Sequence, residues 1–354
     1  MCIYYGNSPE LTYENREHVF PAGLGGKQRL AIGVVSDQAN KLFSPMEMKL
    51  MRQSPVGLLR MLFGPGDRGS LSPEKASKSL VSVGRKDDGT PVLCYYSAGK
   101  PYGIPQVLFS RDTFLMSFPT MQENVVDYRK QFLEVLQEFD IDNRFVHFRS
   151  AFLSDGDILL GYHERKYYVA SSGERPTTGI IKDLIQSVSQ YASLKKADST
   201  EHRVEQELII YEDSEIARVY AKTAMNVLAH LKGADYAANP AFDHFRNWII
   251  TGEANEDYSF LPSTISEETS SERKTKFPPD SHWCFFIKLE TKLEAIVCFY
   301  NQFCRRFTFG EVPNITCSFP FGYICDWKNE KEYTYDEYIE VLVKRIFNLE
   351  TNNA

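Results

Sequence analysis

Three residues within the first forty positions could act together on a phosphate ester. Glu17 and His18 are adjacent in Glu17-His18-Val19-Phe20-Pro21, and Asn40 follows His18 by twenty-two positions. Hydrolysing a phosphodiester near pH 7 needs a base to activate water and a cation to stabilise the charge that builds on phosphorus. One histidine supplies the first, and oxygen ligands on a hard divalent ion supply the second. On this reading His18 is the base, and Glu17 and Asn40 hold the ion. Neighbouring residues on a regular strand point to opposite faces, so Glu17 and His18 converge only if the strand ends or bulges there.

The surrounding sequence suggests how these residues are positioned. Val19-Phe20 and Gly33-Val34-Val35 bracket a glycine-rich turn, Gly23-Leu24-Gly25-Gly26-Lys27, which reads as a hairpin with a loose loop. Ser36 is placed to cap a short helix carrying Asn40. Ser44-Pro45-Met46-Glu47 then reads as a second helix start, and Ser54-Pro55 as a third, ended by Gly64-Pro65-Gly66. Strand, strand, helix is the expected local order.

The stretch from Cys2 to Glu47 resembles the HNH endonucleases, the ββα-metal fold. The similar subgroup reads C-x-x-C, then E-H-x-x-P-x-x-L-G-G, then V-C-x-x-C-N-N. Here the three blocks are Cys2-Ile3-Tyr4-Tyr5, Glu17-His18-Val19-Phe20-Pro21-Ala22-Gly23-Leu24-Gly25-Gly26 and Val35-Ser36-Asp37-Gln38-Ala39-Asn40-Lys41. The resemblance implies a phosphodiester hydrolase acting on DNA, with His18 as general base and Glu17 and Asn40 as ligands of Mg²⁺ or another divalent ion such as Mn²⁺. It departs from the family in three ways. Of the four knuckle cysteines only Cys2 remains, with Tyr5, Ser36 and Ala39 at the other positions, so no structural zinc is expected; ordinary packing, such as Tyr5 against the helix, and docking of the motif onto the larger body have to compensate. Residues 19 to 39 contain no Asn to orient the base, and Lys41 replaces the second Asn of the N-N pair. An alternative reading follows from these losses: a catalytically decayed module that binds nucleic acid or a protein without cutting. The helix around Asn226 and the segment Phe242-Asp243-His244-Phe245-Arg246 are also similar to parts of longer proteins that carry such a nuclease, without suggesting a mechanism.

The remaining candidates weigh less. Lys27 and Arg29 sit at the hairpin turn, and with Lys41 and Arg52 they are the residues expected to meet nucleic-acid phosphates. Arg52, Arg60 and Arg68 recur every eight residues and could follow a phosphate backbone, although Pro55 and Gly64 interrupt the helix between them. His147, His163, His202, His230, His244 and His282 have no companion at metal-ligand spacing and read as core or surface histidines. Cys298, Cys304, Cys317 and Cys325 lie in apolar surroundings and read as buried thiols. Asp140, Asp142, Asp155 and Asp157 lack the glycine and final glutamate of a calcium loop.

Beyond residue 70 the pattern is mixed. Strand-like runs at 79–83, 92–96 and 106–109 give way to helical periodicity at 125–139, 180–194 and 216–231, the last being the clearest amphipathic helix, stopped by Gly233. Residues 252–281 are polar and breaker-rich and read as a mobile loop or linker. Strands at 283–289, 294–300 and 306–309 and a final helix at 336–349 follow. The expected architecture is α+β: an HNH-like module over 1–70 and a larger α+β body over 71–354. The dense aromatics Phe299, Tyr300, Phe303, Phe307 and Phe309 suit either a buried sheet core or an interaction surface, the former more simply.

Composition bounds these readings. The chain has 354 residues and 43% hydrophobic content, enough for a substantial core and incompatible with full disorder. No run of about eighteen apolar residues is present, the N-terminus lacks signal-peptide zoning, and seven cysteines form no C-x-x-C pair, so a cytoplasmic protein with no membrane partner is expected. The net charge of −7 argues against a generic nucleic-acid coat, but residues 1–100 carry +4 and the remainder −11. A mildly basic segment on an acidic body can approach phosphate locally while limiting non-specific binding. Protein partners or a homo-oligomer are left open.

Overall fold

In a computed structural model the chain is mixed α+β. The structure describes residues 1–111, 113–119, 125–139, 144–190, 204–206, 213–253, 258–260, 277–312 and 318–351. The chain divides into two compact units, one of Met1–Ser77 with Ile210–Ala354 and one of Lys78–Ile209. The first seventy residues therefore belong to a unit completed by the C-terminal part of the chain, and the boundary expected at residue 70 falls inside that unit.

The N-terminal segment contains no extended strand. Its pairing reduces to isolated bridges, Cys2 with Gly6 and His18 with Arg29, the latter flanked by Val19 N–H donating to Gln28 O (2.9 Å) and Leu30 N–H to Glu17 O (2.8 Å). The partner of the Glu17–Val19 stretch is thus residues 28–30, whereas Gly33–Val35 was expected. Val34 is engaged elsewhere, accepting from Ile3 N–H at 2.9 Å. Between the paired segments lies a 3-10 turn, Ala22–Leu24, closed by Gly25 in the left-handed region at φ 93°.

Helix α1 runs without interruption from Asp37 to Gln53, capped by Ser36, whose Oγ accepts from Ala39 N–H. The break expected at Ser44-Pro45 does not occur. Proline there removes one intrahelical donor, but Phe43, Met46 and Leu50 on the same face are buried in the core and hold the helix through it. The Ser54-Pro55 start is as expected: α2 spans Pro55–Phe63, with Ser54 Oγ accepting from Val56 and Gly57 N–H, and Gly64 ends it.

The second unit contains two sheets. Strands β1 (Ser82–Lys86), β2 (Pro91–Ser97), β3 (Lys100–Gly103) and β9 (Val204–Gln206) form an antiparallel sheet in the order β3-β2-β1-β9. A turn at Ala98-Gly99 joins β2 to β3. Strands β4 (Gln106–Ser110), β5 (Thr113–Ser117), β6 (Phe145–Arg149), β7 (Ile158–His163) and β8 (Lys166–Ser171) form the other, β5-β4-β7-β8-β6, in which β6 and β8 are parallel. Helices α3 (Val125–Gln137) and α4 (Thr178–Gln190) bury Phe132, Leu136, Ile181 and Ile185 in one core with Val107, Leu160 and Val169.

The first unit resumes with α5 (Ser214–Lys232), α6 (Ala234–Ala237) and α7 (Asp243–Thr251). An antiparallel six-stranded sheet follows, in the order β10-β13-β12-β11-β14-β15. Its strands are β10 (Tyr258–Phe260), β11 (His282–Leu289), β12 (Lys292–Phe299), β13 (Phe303–Glu311), β14 (Phe321–Asp326) and β15 (Lys331–Thr334). Helix α8 (Tyr335–Thr351) closes the chain. Of the expected loop at 252–281, residues 254–257 and 261–276 lie outside the described residues, and 258–260 form β10.

Helix α5, expected to be amphipathic, is buried on every side from Ile216 to Ala229. It sits in one core with Ile3, Val19 and Phe20 of the N-terminal segment, Phe43 and Leu50 of α1, and Phe286, Phe299 and Phe307 of the sheet. The dense C-terminal aromatics are therefore core residues: Phe299, Tyr300, Phe307 and Phe309 are buried, and Phe303 packs partly against them. Cys298 and Cys304, expected as thiols, face each other in the β12–β13 register and are joined by a disulfide. Cys325 is a buried thiol, as expected, and Cys317, His202, Asp140 and Asp142 lie outside the described residues. No described helix is long and apolar enough to cross a membrane.

Candidate functional site

The segment carrying Glu17 and His18 is fixed from four sides. At the start of α1, Asp37 accepts the N–H groups of Glu14 (2.8 Å) and Asn15 (3.1 Å), and these bonds hold its carboxyl down at about 2. Arg16 donates from Nε to Leu30 O (2.9 Å) and from Nη2 to Arg29 O (3.2 Å), clamping the strand that pairs with His18. The Ala22–Leu24 turn is held by Arg60 Nε on Gly23 O (2.7 Å) and by His282 Nε2 on Leu24 O (3.0 Å). From α5, Asn226 Nδ2 donates to the backbone oxygen of His18 at 2.9 Å, and Asn226 Oδ1 accepts from the Tyr4 hydroxyl at 2.7 Å. Every partner is a backbone group or a satisfied side chain, as buried polar groups require.

The side chains of Glu17 and His18 are used differently. The His18 ring is half-buried, and its Nε2 accepts from Arg29 Nε at 3.1 Å. Burial depresses its pKa, Arg29 depresses it further, Glu17 opposes this, and Lys222 and Lys27 add to the depression. The imidazole is thereby held neutral, the form a general base needs. In this arrangement the Nε2 lone pair faces an exposed guanidinium.

The Glu17 carboxylate is held by Lys222 of α5: Lys222 Nζ is 2.7 Å from Glu17 Oε1 and also bonds Glu47 of α1. The lysine side chain is 2% exposed, those of Glu17 and Glu47 13% and 20%. Burial alone would push the ammonium pKa down, but the two carboxylates more than offset it and the net shift is upward. Burial raises the Glu47 carboxyl, Lys222 lowers it and Glu17 raises it again, with a net rise. Lys222 also lies 5.3 Å from the centre of the Phe43 ring. The sequence reading missed Lys222 altogether. The available signal was its spacing from Asn226: two polar residues four apart, one helical turn, inside a helix otherwise rich in Ala, Val, Leu and Met.

Asn40 is on α1, seven residues before Glu47. Its Oδ1 is buried and accepts no hydrogen bond, an oxygen that a cation could satisfy. The other expected ligand is not free in that way. Among the described residues no group of three His, Cys, Asp or Glu side chains is arranged to hold a metal ion. Mg²⁺ and Mn²⁺ favour six oxygen-rich positions, while Glu17 is engaged by an ammonium whose charge would repel the ion. The residues present do not fit the expected divalent ion.

The expected phosphate-facing residues are all exposed but differ in setting. Arg29 touches His18. Lys27 pairs with Glu330 at 3.0 Å, which screens it, and Lys41 and Arg52 lie on α1. The spacing of Arg52, Arg60 and Arg68 is not a phosphate track: Arg60 is buried, bonding Gly23 O and Gly66 O. At the knuckle positions Cys2 Sγ accepts from Ser36 N–H at 3.4 Å and Ala39 is fully buried. Tyr5 is exposed, and the ring packed on α1 is Tyr4, edge-on to Phe43 at 5.0 Å. Comparison of the chain with protein-family models, curated proteins and solved structures finds no match.

Proposed function

We propose that the chain is an HNH-like phosphodiester hydrolase acting on DNA, with His18 as general base. The observation that carries this reading is the pairing of a neutral, half-buried His18 with an exposed Arg29 on a backbone clamped by Arg16 and Asn226. A phosphate arriving at this edge offers Arg29 an anionic, bidentate partner in place of a neutral ring nitrogen. Arg29 then turns to the phosphate and frees Nε2. His18 takes a proton from water, the water oxygen bonds to phosphorus, one ester P–O bond breaks, and the departing oxygen, on the side opposite the water, takes a proton from solvent, to which the imidazolium returns its own. No metal ion is assigned to this step, because the residues present do not fit one.

The test is cleavage of supercoiled plasmid, single-stranded DNA and RNA by the full chain beside His18→Ala. The reading expects DNA cleavage that falls by roughly 10²–10⁴-fold in the variant. DNA binding without cleavage would favour the decayed, binding-only module instead.

A further inference from the structure

We infer that the site carries its own cations, with Lys222 standing under Glu17 where a divalent ion was expected and Arg29 facing the solvent, so that hydrolysis at His18 needs no added metal and the site excludes Mg²⁺ and Mn²⁺. The inference rests on the hydrolase reading for its catalytic half; its exclusion half stands on geometry alone. Lys222 is almost fully buried, comes from a helix distant in sequence, and binds Glu17 and Glu47 at once. An ammonium in that position does two things a bound divalent ion would do. It offsets part of the negative charge of Glu17, which would otherwise repel a phosphate next to His18, and it fixes the carboxylate orientation. It cannot reach a substrate oxygen from its buried position, and that contact falls to Arg29, whose guanidinium is exposed and adjacent to the base.

The arrangement also resists exchange. A divalent ion entering at Glu17 would place two further positive charges beside an ammonium from which water is excluded, where charge repulsion is poorly screened. Lys222 is itself buried, and so are its neighbours on α5 from Ile216 to Ala229.

The experiment is Mn²⁺ titration of the full chain followed by electron paramagnetic resonance, together with plasmid cleavage in EDTA and in Mg²⁺. The wild-type protein is expected to bind no Mn²⁺ that Glu17→Gln removes, and to cleave within about two-fold equally in EDTA and Mg²⁺. Lys222→Met, which frees both carboxylates, is expected to gain a Mn²⁺ site that is lost again in Lys222→Met/Glu17→Gln. If Lys222→Met does not fold, the wild-type titration still decides. Wild-type Mn²⁺ binding that depends on Glu17, or cleavage that stops in EDTA and depends on His18, overturns the inference while leaving the hydrolase reading intact. No cleavage under either condition overturns the hydrolase reading and the catalytic half, and the Mn²⁺ titration then supports or overturns metal exclusion by itself.

Discussion

Lys222 Nζ lies 2.7 Å from Glu17 Oε1, so a lysine from the buried helix α5 ends on the carboxylate that precedes His18 in the chain. The N-terminal segment and the C-terminal half of the molecule thus meet at one charge cluster, and the properties of His18 depend on both.

Removing the ammonium should be expensive. Lys222→Met leaves Glu17 and Glu47 buried without their common partner, and breaking a buried pair in this way typically destabilises by about 3–5 kcal/mol. Urea unfolding should show that loss, and the triple variant Lys222→Met/Glu17→Gln/Glu47→Gln should recover most of it, because no charge is then left unpaired. Equal loss in both variants would mean that the lysine acts through packing.

The backbone at His18 hangs from Asn226. Asn226→Ala leaves His18 O without its side-chain donor and removes the nearer acceptor of the Tyr4 hydroxyl, which keeps Lys222 O at 3.2 Å, at a cost of about 1–3 kcal/mol. Tyr4→Phe takes the hydroxyl from Asn226 Oδ1 and Lys222 O but keeps the Asn226 donor on His18 O, and should cost less. Cleavage by Asn226→Ala should fall more than its stability loss accounts for at a temperature where the variant is folded. The checks are urea midpoints and single-turnover rates on the same preparations.

The Gly25-Gly26 turn is required by close approach as well as by backbone conformation. A Cβ on Gly26 would lie 2.1 Å from Phe20 O, and one on Gly25, already at φ 93°, 2.5 Å from Trp327 Cβ. Gly26→Ala must shift backbone against backbone and should lower stability by roughly 1–3 kcal/mol, as overpacking does. Gly6→Ala is a comparison with open space around the new methyl but a positive φ, 67°. If Gly26→Ala costs no more than Gly6→Ala in thermal melts, the steric account of the turn is wrong.

His282 should make the fold acid-sensitive. It is fully buried, donates from Nε2 to Leu24 O and accepts the Tyr300 N–H at Nδ1, and burial drives its pKa down to about 3. The unfolded ring titrates near 6.5. Between those values the unfolded chain binds a proton that the folded chain refuses, so stability is full above about pH 6.5 and falls by about 1.4 kcal/mol per pH unit as pH drops toward 3. His282→Gln, which can keep one donor and one acceptor, should reduce the slope of urea midpoint against pH between 6 and 4.5 by about one proton. An unchanged slope would assign the acid sensitivity to other groups.

The local signals in the sequence were reliable where they acted alone. Ser36 and Ser54 cap helices, Gly64 and Gly233 end them, the apolar run at 283–289 lies within β11, and that at 294–300 lies in β12 up to Phe299. They failed where tertiary packing decided. Pro45 reads as a helix start, yet the buried face of Phe43, Met46 and Leu50 carries α1 through it. Val34 reads as the hairpin partner of Val19, yet it bonds Ile3. At the site, the spacing of Glu17, His18 and Asn40 pointed to the N-terminal segment, but Glu17 and His18 have different partners, and Lys222, which holds Glu17, is 205 residues from it. No local pattern carries a pairing of that range; only the interruption of a buried helix by Lys222 and Asn226 hints at it.

The most direct test of the account is a side-by-side single-turnover cleavage of supercoiled plasmid by the full chain and by His18→Ala, with folding of both confirmed by matching unfolding curves. The account predicts nicking or linearisation by the wild type and a fall of roughly 10²–10⁴-fold in the variant. Equal rates in the two proteins, or no cleavage by either, would contradict it.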